Sequence, residues 1–237
     1  MTTSDNKKKI KLTYFDIEGA GEPVRLALVL SGSEFEDDRV KFPDWAALKP
    51  KTPNGQLPVM TIGDDPTLRA QSGAMLRYVG AECCSDGSLY PRDKLYDVEE
   101  VLGLLDDAKR DWTGPFYIGM TPKKFGYPED YNKTEEGKAL VKTLREQFVQ
   151  ETLPQHLDRL TKLLENSGDK WLVAGCDSPT IADCAWVPFL RNYTRGHIDY
   201  VDVTCLDGHP KVVEYVKRFC NLPSIKGRYT SGLGSSS

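Results

Sequence analysis

The chain has 237 residues, enough for one large or two small domains, and its 39% hydrophobic and 28% charged content is that of an ordinary soluble globular protein. A net charge of −4 gives no overall basic surface for nucleic acid, and no apolar stretch approaches the ~20 residues that span a bilayer. Six cysteines occur with no C-x-x-C pair, which points away from a zinc site or a disulfide framework and towards a reducing compartment, the cytoplasm.

In chain order, the start is polar, with one basic triplet, Lys7-Lys8-Lys9, read as a solvated flexible end rather than a targeting signal. Ile10, Leu12, Tyr14 and Phe15 predict a short strand that ends in the turn Gly19-Ala20-Gly21. Pro23 suits a first helical turn, and Val24, Leu26, Ala27, Leu28 and Leu30 supply an apolar face, so 22–30 is predicted helical. A second strand is predicted over 35–40, completing a βαβ unit. After a loop holding Trp45 and Lys49 come two more strands, 58–62 and 67–69. The turn Gly63-Asp64-Asp65-Pro66 joins them, and a helix follows from Gln71 to about Ala81. The order is βαβ, then ββα, a small α/β domain.

Residues 82–93 read as a linker, and strand signals nearly vanish beyond it. Leu95, Val98, Val101, Leu102 and Leu105 have helical spacing, and one long helix is predicted from about Thr134 to Asn166. Between them, 115–131 reads as a long irregular insertion rich in Pro, Gly and aromatic residues. Thr180-Ile-Ala-Asp183 has the spacing of a capping box at the head of a nearly all-apolar, central helix. A last helix is predicted over 210–220, then a flexible Ser/Gly-rich end over 231–237. The predicted division is an α/β domain over 8–83 and an all-helical domain over 92–229.

An α/β domain followed by an all-helical one resembles the cytosolic glutathione transferases over roughly residues 10–229, and most closely their tyrosine-type sigma class. Tyr14, followed by Glu22-Pro23-Val24-Arg25, looks like that family's first motif. Trp45, Lys49, Gln56-Leu57-Pro58 and Gln71-Ser72 follow at the family's spacing of glutathione contacts, with the hairpin between Gln56 and Gln71 about two residues longer than usual. The fold so implied is a thioredoxin-like N-terminal domain with an all-α C-terminal domain. The implied activity is glutathione transfer, with glutathione as co-substrate and no metal. By the same resemblance the protein is a homodimer, and Asp107 reaches the partner subunit's γ-glutamyl amine, although Asp106 stands next to it. Where many relatives carry Arg, two residues before Glu22, this chain has Ala20.

The chemistry suits those residue types. A cis Pro58 would turn the Leu57 backbone outward to pair with the cysteinyl backbone as a short added strand. Gln71 and Ser72, at a helix start, favour the γ-glutamyl carboxylate, while Lys49 and Trp45 suit the glycyl end as cation and indole donor. Glutathione's thiol has a free pKa of about 8.5, and a hundredfold gain in its thiolate takes ~2.7 kcal/mol, within reach of one charge-assisted hydrogen bond from Tyr14 plus the local field. Phe15, Trp112, Phe116 and Tyr117 are the candidates for an acceptor pocket, packing being the other reading for the last three. His156, His197 and His209 show no metal-ligand spacing. Two rival functions stay open: isomerisation of prostaglandin endoperoxides, known in some sigma-class members, and a non-catalytic glutathione carrier or structural relative.

Overall fold

The computed structural model describes residues 9–235; Lys7 and Lys8 of the basic triplet and Ser236 and Ser237 lie outside the described residues. In chain order it contains β1 (Ile10–Phe15), α1 (Glu22–Leu30), β2 (Phe35–Val40), α2 (Trp45–Leu48), β3 (Val59–Ile62), β4 (Asp65–Arg69) and α3 (Ser72–Tyr78). The helices α4 (Leu95–Tyr117), α5 (Glu135–Gln147), α6 (Leu153–Asn166), α7 (Ile181–Tyr193) and α8 (Pro210–Cys220) follow.

The strands form one sheet in the order β2-β1-β3-β4. β1 runs parallel to β2, with Tyr14 opposite Arg39, and antiparallel to β3, with Thr13 opposite Val59. The parallel step needs a crossover, which α1 supplies. β3 and β4 are antiparallel, joined by a turn at Gly63-Asp64 that is tighter than the sequence predicts, since Asp65 and Pro66 already belong to β4. Pro66 is tolerated there because β4 is the edge strand. Ile10 and Leu12 from the sheet and Val24, Leu26, Ala27 and Leu28 from α1 are wholly buried.

α1 also packs on α7, which joins the two domains. A Cβ at Gly80 would sit 2.6 Å from Ile181 Cγ2, so glycine permits the close approach of the α3 end to the start of α7. The capping box at that start is formed. Asp183 is buried and accepts from Thr180 N (2.7 Å), Thr180 Oγ1 (3.0 Å), Leu172 N (3.1 Å) and Tyr215 Oη (2.9 Å). One carboxylate thus ties α7, α8 and the preceding loop together.

Three predicted boundaries move. α4 continues through Pro115 to Tyr117, because the buried Arg145 donates Nε to Pro115 O (3.1 Å) and Nη2 to Phe116 O (3.4 Å), holding the helix end from α5. The irregular stretch is therefore shorter, and it is tied down by Asn132 Nδ2 donating to Gly119 O at 2.8 Å and by Tyr127 stacked on Tyr131. The long helix predicted over 134–166 is interrupted by a π-helical turn at Phe148–Thr152, just before Pro154, which has no N–H to give. The Ser/Gly-rich end lies against α7 as far as Ser235: Leu233 N donates to Thr194 Oγ1 at 2.9 Å and Arg191 Nη2 to Ser231 O at 3.0 Å.

Replacing Asp183 with Ala strands four donors inside the protein. The expected loss is about 3 kcal/mol, from the cap and the unpaired buried groups. Thermal unfolding should shift down by roughly 10 °C, and a shift under about 2 °C would remove Asp183 from this role.

Candidate active site

The end of β1, the start of α2, the turn before β3 and the start of α3 converge on one cleft of about 380 Å³. Its lining includes Phe15, Ala20, Trp45, Gln56, Leu57, Pro58, Gln71 and Ser72, with Gly55 and Ala70 between them. Residues more than 50 positions apart meet here because β1 and β3 are neighbours in the sheet.

The Leu57–Pro58 peptide is cis. Gln71 precedes the first helical residue, Ser72, with φ 76° and ψ 99°. A non-glycine residue in that region is uncommon and costs ~1–3 kcal/mol, a strain that clusters at binding sites. Trp45 is half-buried and sits edge-on to Phe15 at 5.5 Å, while Phe15 stacks on the exposed Phe42 at 4.8 Å. Lys49 is exposed, and its side chain runs over Gly55, where an added Cβ would lie 3.5 Å from Lys49 Cε. Trp45, Gln56, Leu57, Pro58, Gln71 and Ser72 are thus brought together as the sequence predicts, with Lys49 at the rim.

Tyr14 stands behind this cleft, 7% exposed. Its hydroxyl oxygen accepts from Ala20 N at 2.9 Å, and Ala20 itself lines the cleft. The phenol is seated between two glycines. A Cβ at Gly19 would lie 2.5 Å from the hydroxyl, and one at Gly21 2.5 Å from Cδ1 of the ring. Burial pushes the Tyr14 pKa above its ordinary value; the Ala20 N–H opposes that rise, the nearby Tyr117 adds to it, and the Arg25 guanidinium, 5.6 Å from the ring centre, opposes it. Tyr14 is therefore a neutral phenol at physiological pH. Its oxygen has a backbone donor, and its own hydrogen remains to be donated.

The other predicted residues separate. Phe15 lines the main cleft rather than a second pocket. Trp112 is buried among Phe148 (4.7 Å), Tyr193 (5.1 Å) and Phe116 (5.6 Å), a packing role. Tyr117 is 44% exposed and edge-on to Phe116 at 5.0 Å. Asp107 pairs with Arg110 at 2.9 Å, whereas Asp106 lines a narrow crevice with Pro23, Ser72, Gly73 and Arg77, so Asp106 is the aspartate on the Ser72 side of α4. The Ala20 amide and the glycine seat escape residue-type reasoning; the Gly-x-Gly spacing around Ala20 is the only sequence signal for them. Among the described residues no group of three or more His, Cys, Asp or Glu is placed to hold a metal ion.

Comparison with known proteins matches residues 10–81 to the glutathione S-transferase N-terminal domain and residues 116–230 to the C-terminal domain. The chain is 34% identical over 216 residues to glutathione S-transferase 1 of Ascaris suum, covering 91% of this chain and 93% of that protein. The chain belongs to the glutathione S-transferase family. The crystal structure of the glutathione S-transferase from Ascaris lumbricoides superposes with a TM-score of 0.66 at 30% identity, covering 92% of this chain and 94% of that one. The structure of prostaglandin synthase D of Nilaparvata lugens superposes with a TM-score of 0.72 at 24% identity, covering 92% and 96%, a likeness of fold. The chain is a glutathione S-transferase by fold and family, and glutathione is that family's co-substrate.

Two outcomes follow from the seat of Tyr14. Gly21→Ala drives a methyl group into the ring and should destabilise the fold by about 1–3 kcal/mol, the usual cost of overpacking, read by thermal unfolding. Gly103→Ala, in α4 with open space around it, should leave turnover intact and add roughly 0.5–1 kcal/mol of stability. In a spectroscopic titration, the difference between wild type and Tyr14→Phe should show no tyrosinate below its ordinary pKa of about 10; a phenolate at neutral pH would overturn the neutral-donor assignment.

Proposed function

We propose that the cleft binds glutathione and that Tyr14 donates its hydroxyl hydrogen to the cysteinyl sulfur, holding the thiolate for attack on an electrophile. The observation that carries this reading is the Ala20 N–H to Tyr14 oxygen bond of 2.9 Å at the edge of the cleft. A donor to the phenol oxygen makes the O–H a stronger donor in turn. The thiolate then forms a C–S bond with an electrophilic carbon while that carbon's leaving group departs with its electron pair, or it attacks the terminal oxygen of a hydroperoxide, forming an S–O bond as the O–O bond breaks and the alkoxide leaves to take up a proton. In the latter case a second glutathione thiolate then attacks the sulfenic acid sulfur, giving the disulfide and, with a proton, water. Gln71 and Ser72 receive the γ-glutamyl carboxylate, the Leu57 backbone pairs with the cysteinyl backbone beside cis-Pro58, and Trp45 and Lys49 hold the glycyl end.

The acceptor lies between Tyr14 and Tyr117, with Phe116 behind. Domain limits near 8–83 and 92–229 are supported by the change from sheet to helix, although residue 8 lies outside the described residues. A homodimer is supported by the resemblance to the family, in which an aspartate of α4 reaches the partner subunit's ligand; Asp107 or Asp106 takes that part, and Asp106 is the one beside Ser72. Sigma-class placement is supported by the spacing of Trp45, Lys49, Gln56-Leu57-Pro58 and Gln71-Ser72, which resembles that of sigma-like members. A cytoplasmic site is supported by six cysteines that form no C-x-x-C pair in the sequence.

Tyr14→Phe should lower kcat for conjugation by about 10²-fold, the usual cost of one transition-state donor, with the glutathione Kd within about threefold of wild type. Ser72→Ala should instead weaken glutathione binding by roughly tenfold, about 1.4 kcal/mol, read by calorimetry. Equal turnover in Tyr14→Phe removes Tyr14 from the chemistry. Binding without activity on haloarene, enone or hydroperoxide acceptors makes the protein a carrier.

A further inference from the structure

The turn that seats Tyr14 is held from two sides. From the sheet side, the wholly buried Arg25 donates to Ile17 O (2.7 Å), Phe15 O (3.1 Å) and Asp37 (2.8 Å). The other side is closed by chain some 200 residues later. Arg228 donates to both oxygens of Glu22 (2.7 and 3.2 Å), and Tyr229 Oη donates to Glu22 Oε1 (3.0 Å). Arg191 of α7, also wholly buried, stacks over the Tyr229 ring at 3.6 Å. It donates to both oxygens of Glu18 (3.4 Å each), to Ser231 O (3.0 Å) and to Leu233 O. Arg195 adds a 3.3 Å ion pair to Glu18. Glu18 and Glu22 flank Gly19-Ala20-Gly21, so the C-terminal segment grips one end of the seat of Tyr14 directly through Glu22 and the other through Arg191, which it holds by Ser231 O and Leu233 O and which itself binds Glu18.

Beneath this segment runs a crevice of about 630 Å³, larger than the cleft, with Asp16, Glu18, Arg39, Arg195, Lys226 and Arg228 on its walls. Residues 224–231 form one wall of that crevice. Ile225 and Tyr229 anchor the segment in the hydrophobic core, and the turn itself is met through the charged contacts just named. Such contacts act on geometry: removing one partner of a buried ion pair leaves the other uncompensated and free to pull away.

We propose that residues 228–233 form a strap that fixes the Tyr14 hydroxyl through Glu22 and Glu18, with Arg228 and Arg191 as positioning residues for the thiol chemistry. The proposal rests on the reading of Tyr14 as thiol activator, and its first test does not. In the full-length protein without glutathione, Arg228→Met should speed amide hydrogen exchange across residues 16–21 by about tenfold or more, while Arg228→Lys, which keeps one charged bond, should restore most of the protection. In turnover, Arg228→Met should lower kcat by about tenfold with KM for glutathione within about twofold. The acid limb of its pH profile should move up by about one pH unit, a tenfold loss of thiolate at a given pH.

A purely structural clamp would lower the melting temperature and leave exchange in 16–21, the pH profile and the kcat-to-KM split as in wild type, and that result overturns the proposal. If Arg228→Met does not fold, Tyr229→Phe removes one hydroxyl donor to Glu22 and keeps the ring under Arg191; it should show the same pattern at about threefold, and no change in either measurement there is equally decisive. Wild-type protein inactive on every acceptor would end the thiol-activation reading while leaving the exchange result to judge the strap.

Discussion

The hydrogen bond from Ala20 N–H to the Tyr14 hydroxyl sets what the rest of this structure must do. A backbone amide can take that part only if the chain folds back on itself within six residues of Tyr14, with no side chains in the way. Gly19 and Gly21 meet that steric demand: a Cβ at either would overlap the phenol at 2.5 Å. The turn so made has few contacts of its own, and Ala20 is exposed. Its stability is therefore borrowed from buried charges around it, Arg25 beneath and the Glu22–Arg228 and Glu18–Arg191 pairs above. The donor to Tyr14 lies in an exposed turn, and the contacts that position the turn come from both domains.

Burial acts on Tyr14 in two opposed ways. It raises the Tyr14 pKa, which keeps the phenol neutral and weakens its acidity as a donor. The same burial lowers the local dielectric, which strengthens any hydrogen bond the phenol donates. The Ala20 amide and the Arg25 guanidinium both act against the rise. At Ala20 the chain offers Tyr14 a backbone amide at 2.9 Å, and the Arg25 guanidinium stands 5.6 Å from the ring.

The elements were legible where periodicity and caps speak locally. Pro23 at the head of α1, the alternation in β1 and the Thr180–Asp183 box are each decided within a few residues, and each stands as the sequence predicts. The cleft residues were legible as an ordered set because family spacing carries them. What the sequence hid was long-range. Pro115 reads as a helix breaker until Arg145, thirty residues on, holds the carbonyls at the helix end. Trp112 reads as pocket or core, and only the packing of Phe148 and Tyr193 around it decides for core. The adjacent Asp106 and Asp107 differ by 100° around α4, a distinction that depends on the register of the helix against Ser72. A Ser/Gly-rich end reads as flexible by composition, yet its carbonyls are bound by a buried arginine.

That last case bears on how the two domains cooperate. Arg191 is wholly buried, so its charge must be met inside the protein. Glu18 meets it from the N-terminal domain, while Tyr229 and the carbonyls of Ser231 and Leu233 meet it from the end of the chain. None of these can leave without stranding the rest, so the turn, α7 and the terminal segment form one cooperative unit. The cleft is lined by residues 15–72, and the Tyr14 phenol belongs to the same domain. The helical domain contributes Tyr117 near Tyr14 and, through Arg191, a hold on the turn that seats it. A change that loosens Arg191 therefore acts on the turn that seats the phenol, although Arg191 lies in the other domain.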